Sequence, residues 1–348
     1  MKITTVGIDL AKNVFQLHGV DERGHAVLKK QLKRSQMKEF FVNLPPCLIG
    51  MEACGSAHHW ARELEKLGHT AKLMAPQFVK PYVKTNKNDM ADAEAICEAV
   101  SRPNMRFVPI KTVEQQTLLS LHRVRQGLVK ARTAQSNQIR GLLGEFGLII
   151  PKGISQIAPR IPDILEDGDN GLPGLFRDLI SRLLTHFNDL HRQVLELETR
   201  IKAWHRDNPA SWKLAEIPGI GPITASAMVA SVGNARDFSN GRQLAAWLGL
   251  VPKQHSTGGK SVLLGISKRG DSYLRTLLIH GARSALLAAQ RRIDRGEGQA
   301  DAWLTGLLRR RNPNIAAVAL ANKNARIIWA LLTQGRTYQS GYVSMKPA

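Results

Sequence analysis

The sequence predicts an α/β domain over residues 1–108, a long helical arm over 109–206 and a basic, mostly helical domain over 207–348. Three observations carry this division: short apolar segments punctuated by turn residues near the start, apolar positions spaced by alternating fours and threes in the middle, and an acid-poor basic stretch toward the end. A chain of 348 residues has room for two or three domains. Its 43% hydrophobic content excludes general disorder.

In the first domain, residues 3–9, 14–20 and 26–32 read as strands, divided by Ala11-Lys12-Asn13 and Asp21-Glu22-Arg23-Gly24. A helix is expected over 36–42, a strand over 47–51, a helix over 56–67, a strand over 70–74 and a helix over 89–100, with Asn88 as the N-cap of the last. Three meandering strands followed by alternating helices and strands is the order of a ribonuclease-H-like domain.

The arm carries Phe176, Ile180, Leu183, Phe187, Leu190, Val194, Leu197, Ile201 and Trp204 on a heptad rhythm. An earlier helix over 112–146 places Leu121, Val124, Leu128 and Ala131 on the same rhythm, until Gln135 and Gln138 interrupt it. A helix of about 35 residues spans roughly 50 Å. The stretch 151–173, with prolines and glycines, separates the two helices. They form either an antiparallel hairpin within one chain or a coiled-coil dimerisation arm, and the two are compatible.

Lys plus Arg number 49 against 28 Asp plus Glu, a formal net charge of +21. This excess points to a polyanion, either nucleic acid or an acidic membrane surface. No uninterrupted apolar run reaches the ~18 residues of a membrane span, and the opening Met-Lys-Ile-Thr-Thr-Val-Gly-Ile-Asp does not read as a signal peptide. Cys47, Cys54 and Cys97 form neither a CxxC pair nor a disulfide framework. The expectation is a cytoplasmic protein that handles nucleic acid and has no membrane partner.

Four acids form the first chemical constellation. Asp9 and Glu52 each end an apolar strand, and Asp89 and Asp92 share a face at a helix start. Singly, each has an ordinary role as a turn residue or as a favourable charge at a helix N-terminus. Brought together they repel, and a hard cation, Mg²⁺ or Mn²⁺, offsets that charge. The second motif, Ile217-Pro218-Gly219-Ile220-Gly221-Pro222, fits a helix–hairpin–helix, whose glycines free backbone N–H groups to face a phosphate; an ordinary turn between helices is the alternative. The third is the stretch 250–260, read as a loop left mobile by Gly258-Gly259. Ser256 lies there between Lys253 and Lys260, though by chemistry alone it is one of many loop serines, with Ser261 and Ser267 competing. His255 is adjacent, but chain neighbours usually point apart. Lys268, Arg269 and Arg275 mark a basic helix start suited to a phosphate backbone, or simply a solvated basic face.

These segments together resemble the insertion sequence 110 family of transposases, especially its insertion sequence 1111 branch. The carriers are Gly7-Ile8-Asp9-Leu10-Ala11-Lys12, Met51-Glu52-Ala53-Cys54-Gly55, Lys87-Asn88-Asp89-Met90-Ala91-Asp92-Ala93, Ile217-Pro218-Gly219-Ile220-Gly221, Ala245-Ala246-Trp247-Leu248-Gly249-Leu250-Val251-Pro252, Ser256-Thr257-Gly258-Gly259 and Ile266-Ser267-Lys268-Arg269-Gly270. The resemblance implies a RuvC-like N-terminal domain with Asp9, Glu52, Asp89 and Asp92 as DEDD metal ligands, and a C-terminal serine transposase domain with Ser256 as nucleophile. It implies a composite site from different subunits, a covalent phosphoserine intermediate, and a guide RNA encoded by the element that pairs with donor and target DNA. It also implies a homo-oligomer, a dimer or a tetramer on DNA, in a prokaryotic cytoplasm and associated with the nucleoid when DNA-bound. Residues 151–173 do not align with the family pattern. Two other functions stay open: a RuvC-like structure-specific nuclease of the junction-resolvase type using water, and a non-enzymatic architectural DNA-binding protein.

Overall fold

The computed structural model describes residues 2–84, 88–296 and 302–340, and the chain divides into two compact units, Met1–Thr112 and Val113–Ala348. Lys87 of the Lys-Asn-Asp motif lies outside the described residues.

The first unit runs β1 (Thr5–Leu10), β2 (Val14–Val20), β3 (Ala26–Lys33), α1 (Met37–Val42), β4 (Leu48–Glu52), α2 (Ala57–Lys66), β5 (Thr70–Met74), α3 (Pro76–Val79), α4 (Asp89–Val100) and β6 (Phe107–Val108). Its sheet has the order β3-β2-β1-β4-β5-β6. Strands β1, β4 and β5 run parallel, β2 is antiparallel to β1 and β3, and β6 is antiparallel to β5. The two-residue β6 was not expected, because so short a segment shows no periodicity.

Alternation along the strands sorts side chains onto two faces. Val6, Ile8, Phe15, Leu17, Ile49 and Met51 join Trp60 and Leu64 in one core against α1 and α2. The opposite face is covered by α4. A Cβ on Gly7 would lie 2.3 Å from both the Ala93 carbonyl oxygen and the Cys97 amide nitrogen, and one on Gly50 would lie 2.7 Å from Val100 Cβ. Only glycine at these two positions lets the helix sit directly on the sheet. The first turn of α4 is fixed as expected, since the Asn88 side chain accepts the Ala91 N–H at 2.8 Å.

The second unit begins with α5 (Val113–Gly144), α6 (Ile157–Glu166) and α7 (Gly174–Asp207). Helices α5 and α7 pack together as an intramolecular hairpin, and Ile180, Phe187, Leu190, Val194 and Ile201 of the predicted stripe are buried. The predicted seam of α5 is corrected. Val124 is 54% exposed and Ala131 is exposed. The inward positions are instead Leu118, His122, Arg125, Val129, Arg132, Ser136, Ile139 and Leu143, all buried or half-buried. That series keeps an unbroken four-three spacing, but polar residues occupy half of it. Two of these find partners on α7: Arg125 donates to Glu198 at 2.9 Å and Arg132 meets the His191 ring at 2.8 Å. The region 151–173, expected only to separate the two helices, contains a helix of its own. This is α6, whose Ile157 and Ile161 are buried against the hairpin, a helix that Pro159 and Pro162 conceal in the sequence.

The rest of the unit comprises α8 (Pro209–Ala215), α9 (Pro222–Val232), α10 (Gly241–Trp247), β7 (Pro252–Thr257), β8 (Lys260–Ile266), α11 (Ser272–Asp294), α12 (Ala302–Arg310) and α13 (Pro313–Gln334). Helix α13 is long and apolar enough to cross a membrane, yet its buried Ala317, Ala321, Asn324 and Ile328 belong to a face that packs with α10 and α11. The arm is tied to this core by one buried network. Tyr273 Oη lies 3.0 Å from His122 Nδ1, His122 Nε2 lies 3.1 Å from Ser226 Oγ, and Ser226 donates to the Pro222 carbonyl at 2.7 Å. Because Ser226 spends its proton on that carbonyl, the chain is satisfied by a neutral imidazole donating from Nε2. Burial, with the Arg125 charge nearby, accordingly lowers His122 from its ordinary 6.5 to about 4.

Two predictions follow from packing and from this network. Gly7→Ala costs about 3 kcal/mol of stability in urea unfolding through overpacking. Gly127→Ala, where a Cβ meets nothing within 4 Å, is neutral or stabilising by up to about 1 kcal/mol. For His122, the unfolded state binds the extra proton between pH 6.5 and 4. Its contribution is therefore complete above pH 6.5 and lost as the pH falls toward 4, a loss of about 3 kcal/mol. His122→Gln flattens that part of the pH profile; an unchanged profile refutes the buried neutral state.

Candidate active site

Two of the four acids are placed side by side by strand register. Gly7 pairs with Gly50 and Ile8 with Met51 across the parallel β1–β4 ladder, so Asp9 and Glu52 are the next residues at adjacent carboxyl ends. They alternate with Ile8 and Met51 and therefore share the face of Gly7 and Gly50, the one beneath α4. Both are half-buried. Their charges register on Cys54: burial, then Glu52 and Asp9, raise its thiol above the ordinary value. Asp89 and Asp92 occupy the first turn of α4, with Asp89 exposed and Asp92 half-buried. Among the described residues, no group of three or more His, Cys, Asp or Glu side chains is gathered to hold one metal ion. The Asp9–Glu52 pair nonetheless fits a hard divalent cation, because it supplies only carboxylate oxygens, from the carboxyl ends of two adjacent central strands.

The strand pattern also reveals neighbours that were not singled out. Gln16 pairs with Asp9 and His18 with Gly7, so both stand on the face beneath α4. His18 is buried, its Nδ1 has no hydrogen-bond partner among the described residues, and burial lowers its pKa despite Glu94 nearby. The signal was present in Val14-Phe15-Gln16-Leu17-His18, where polar residues alternate with apolar ones inside a strand covered on both faces.

The stretch read as a mobile loop is a β-hairpin. β7 and β8 are joined by Gly258 and Gly259, with φ of +53° and +77°, the left-handed geometry of a tight two-residue turn. Ser256 pairs with Ser261, one step from the turn. The Gln254 side-chain amide donates to Ser256 Oγ at 2.8 Å and reaches Ser261 Oγ at 3.5 Å. Period-two alternation puts His255 on the opposite face from Ser256, so it is not the base for that hydroxyl. Ser267 lies beyond β8, at the base of the hairpin. Gln254 was missed because a loop reading gives i and i+2 no common face.

The basic residues divide similarly. Lys253, Lys260, Lys268 and Arg269 are exposed, whereas Arg275 is half-buried and donates to the Leu248 carbonyl at 3.3 Å. Gly221, N-cap of α9, has open space around it, but a Cβ on Gly219 would lie 2.5 Å from the Gly281 carbonyl oxygen. Gly219 is thus packed closely against α11, and a side chain there would clash.

Family comparisons match residues 6–147 to the DEDD domain of IS110 transposases and residues 212–296 to the transposase IS116/IS110/IS902 family. A Pseudomonas aeruginosa protein named as a probable family 20 transposase is 54% identical, covering 98% of this chain and all of its own. The transposase for insertion sequence element IS1111A of Coxiella burnetii is 46% identical over 97% of this chain and 92% of its own, and that for IS1328 of Yersinia enterocolitica is 44% identical over 97% and 98%.

The carboxylate pair makes a direct prediction. Mn²⁺ binds the full chain, read by calorimetry; Asp9→Asn or Glu52→Gln abolishes that heat with circular dichroism unchanged, and Ser256→Ala leaves it intact. Wild-type-like Mn²⁺ binding by Asp9→Asn rejects the pair as the metal site.

Proposed function

Because the chain belongs to the IS116/IS110/IS902 family of transposases, enzymes that cut and rejoin DNA, we propose that it does so through a serine nucleophile, Ser256, aided by a divalent cation on the DEDD acids and directed by an RNA of its element. The observation that carries the serine assignment is its presentation: an exposed hydroxyl fixed one residue from a tight turn, with Gln254 Nε2 bonded to its oxygen.

A RuvC-like reading of the first unit is supported by the β3-β2-β1-β4-β5 order with β2 antiparallel. In it Asp9 and Glu52 would hold the cation, with Asp89 and Asp92 of α4 completing the set around nucleic acid. When bound, that cation would offset carboxylate repulsion and draw charge from a phosphate. Ser256 Oγ would release its proton and attack phosphorus. The bond to the 3′ oxygen would break, that oxygen would leave as a hydroxyl, and the 5′ phosphate would remain on the serine. Attack by another 3′ hydroxyl would reverse the step and join strands without hydrolysis. Gln254, donating to Oγ, would stabilise negative charge developing there.

The exposed Lys253, Lys260, Lys268 and Arg269 would hold phosphates around this hairpin, and the open N-terminus of α9 at Gly221 would add a helix–hairpin–helix-like contact. A net charge of +21 with only 5% aromatic residues suits a protein that reads backbone and shape while RNA reads sequence. The α5–α7 arm would mediate self-association as a coiled coil. Ile149 and Leu175, exposed at 80% and 85% near the end where the two helices are joined, supply an apolar surface for it.

The decisive experiment traps the intermediate. With a suicide DNA substrate, a covalent adduct maps to Ser256 on a denaturing gel and by peptide mapping. Ser256→Ala loses adduct and strand joining but retains DNA binding, and Gln254→Ala slows adduct formation about tenfold. Cleavage by Ser256→Ala leaving free 5′ phosphates identifies water as the nucleophile; an adduct on Ser261 keeps the reaction class and moves the residue.

A further inference from the structure

A groove of about 1810 Å³ opens within the second unit, bordered by α10, β8, α12, α13 and residues 336–339. Apolar side chains dominate it, among them Leu250, Ile315, Val318 and Ile327, with the rings of Trp303 and Tyr338. The described residues lining it include Arg242, Lys323, Arg326 and Arg336 and no carboxylate. Lys323 Nζ sits 4.1 Å from the centroid of the Trp303 ring, which is 38% exposed. Pro252, Leu264 and Ile266 belong both to this lining and to the base of the β7–β8 hairpin.

We propose that this groove binds unpaired nucleotides of a strand held by the protein, with bases against the apolar lining and Trp303 and phosphates on the four cations. A cationic rim without any acid selects a polyanion. An apolar interior with an exposed aromatic ring, Trp303, selects flat apolar faces. A duplex hides its base faces by stacking, so unpaired nucleotides are the polyanion that offers both. Sharing a wall with the hairpin, the groove receives nucleotides that have left their partners beside the strand being processed. This inference rests on nucleic acid as the partner and is independent of Ser256 as the nucleophile.

The test uses the full chain carrying Ser256→Ala, in chelator and without metal, so that neither cleavage nor the acid site contributes. Anisotropy compares a short oligodeoxynucleotide, its ribonucleotide counterpart and an abasic oligomer of equal length and charge. The base-bearing strands bind about tenfold more tightly than the abasic one, and a preference between deoxy and ribo strands identifies the source. Trp303→Ala removes most of that base-dependent gain without changing abasic binding, Trp303→Phe retains most of it, and Arg242→Gln with Arg336→Gln weakens all three. Equal binding of abasic and base-bearing strands overturns the proposal. So does an unchanged preference in Trp303→Ala together with Val318→Glu, or competition by an acidic amphipathic peptide where the oligomers bind without base dependence.

Discussion

The direct seating of α4 on Gly7 and Gly50 is the constraint on which the first unit depends. Two missing side chains bring a helix backbone against the central strands, and the same alternation then carries Asp9 and Glu52 beyond them onto the covered face. A larger residue at either glycine would lift the helix and with it the turn that bears Asp89 and Asp92. Packing and the disposition of the acids are therefore a single problem, solved by the spacing Gly-x-Asp in β1 and Gly-x-Glu in β4.

The arm solves a different problem. Its seam is not an uninterrupted apolar zipper, since Arg125 and Arg132 of α5 meet Glu198 and His191 of α7. Sliding one helix along the other would strand these cations in a half-buried interface. The polar layers thus fix register, while Ile139, Leu143, Ile180 and Phe187 supply the apolar burial. At the other end of α5 the network of His122, Ser226 and Tyr273 fastens the arm to α9 and to the first turn of α11, close in sequence to Lys268 and Arg269.

Much of this architecture was legible in the residues. Strands 14–20 and 70–74, the helix 89–100 and its Asn88 cap emerge where periodicity and capping agree. The α7 stripe was readable because its inward positions are almost wholly apolar. The α5 seam was not, because polar residues with specific partners occupy positions that a hydrophobic count passes over. Asp9 and Glu52 could be named as strand-end acids, but their adjacency depends on a parallel register that no local pattern encodes. The hairpin around Ser256 escaped because Lys, Gln, His, Ser and Thr on an exposed ribbon carry no apolar alternation, and Gly-Gly reads equally well as slack or as a tight turn.

The tightness of that turn bears on how copies of such an element decay. Gly258 and Gly259 span the connection with no spare residue. One inserted codon there preserves the reading frame and the identities of Ser256 and Gln254, and is absorbed either as a bulge at the turn or as a one-residue shift of the pairing that changes what β8 sets opposite Ser256. On the serine mechanism proposed above, a genomic copy with the shifted pairing would be silent with its acids and its serine intact, and the length of this turn would bear on competence alongside the identity of the residues it joins.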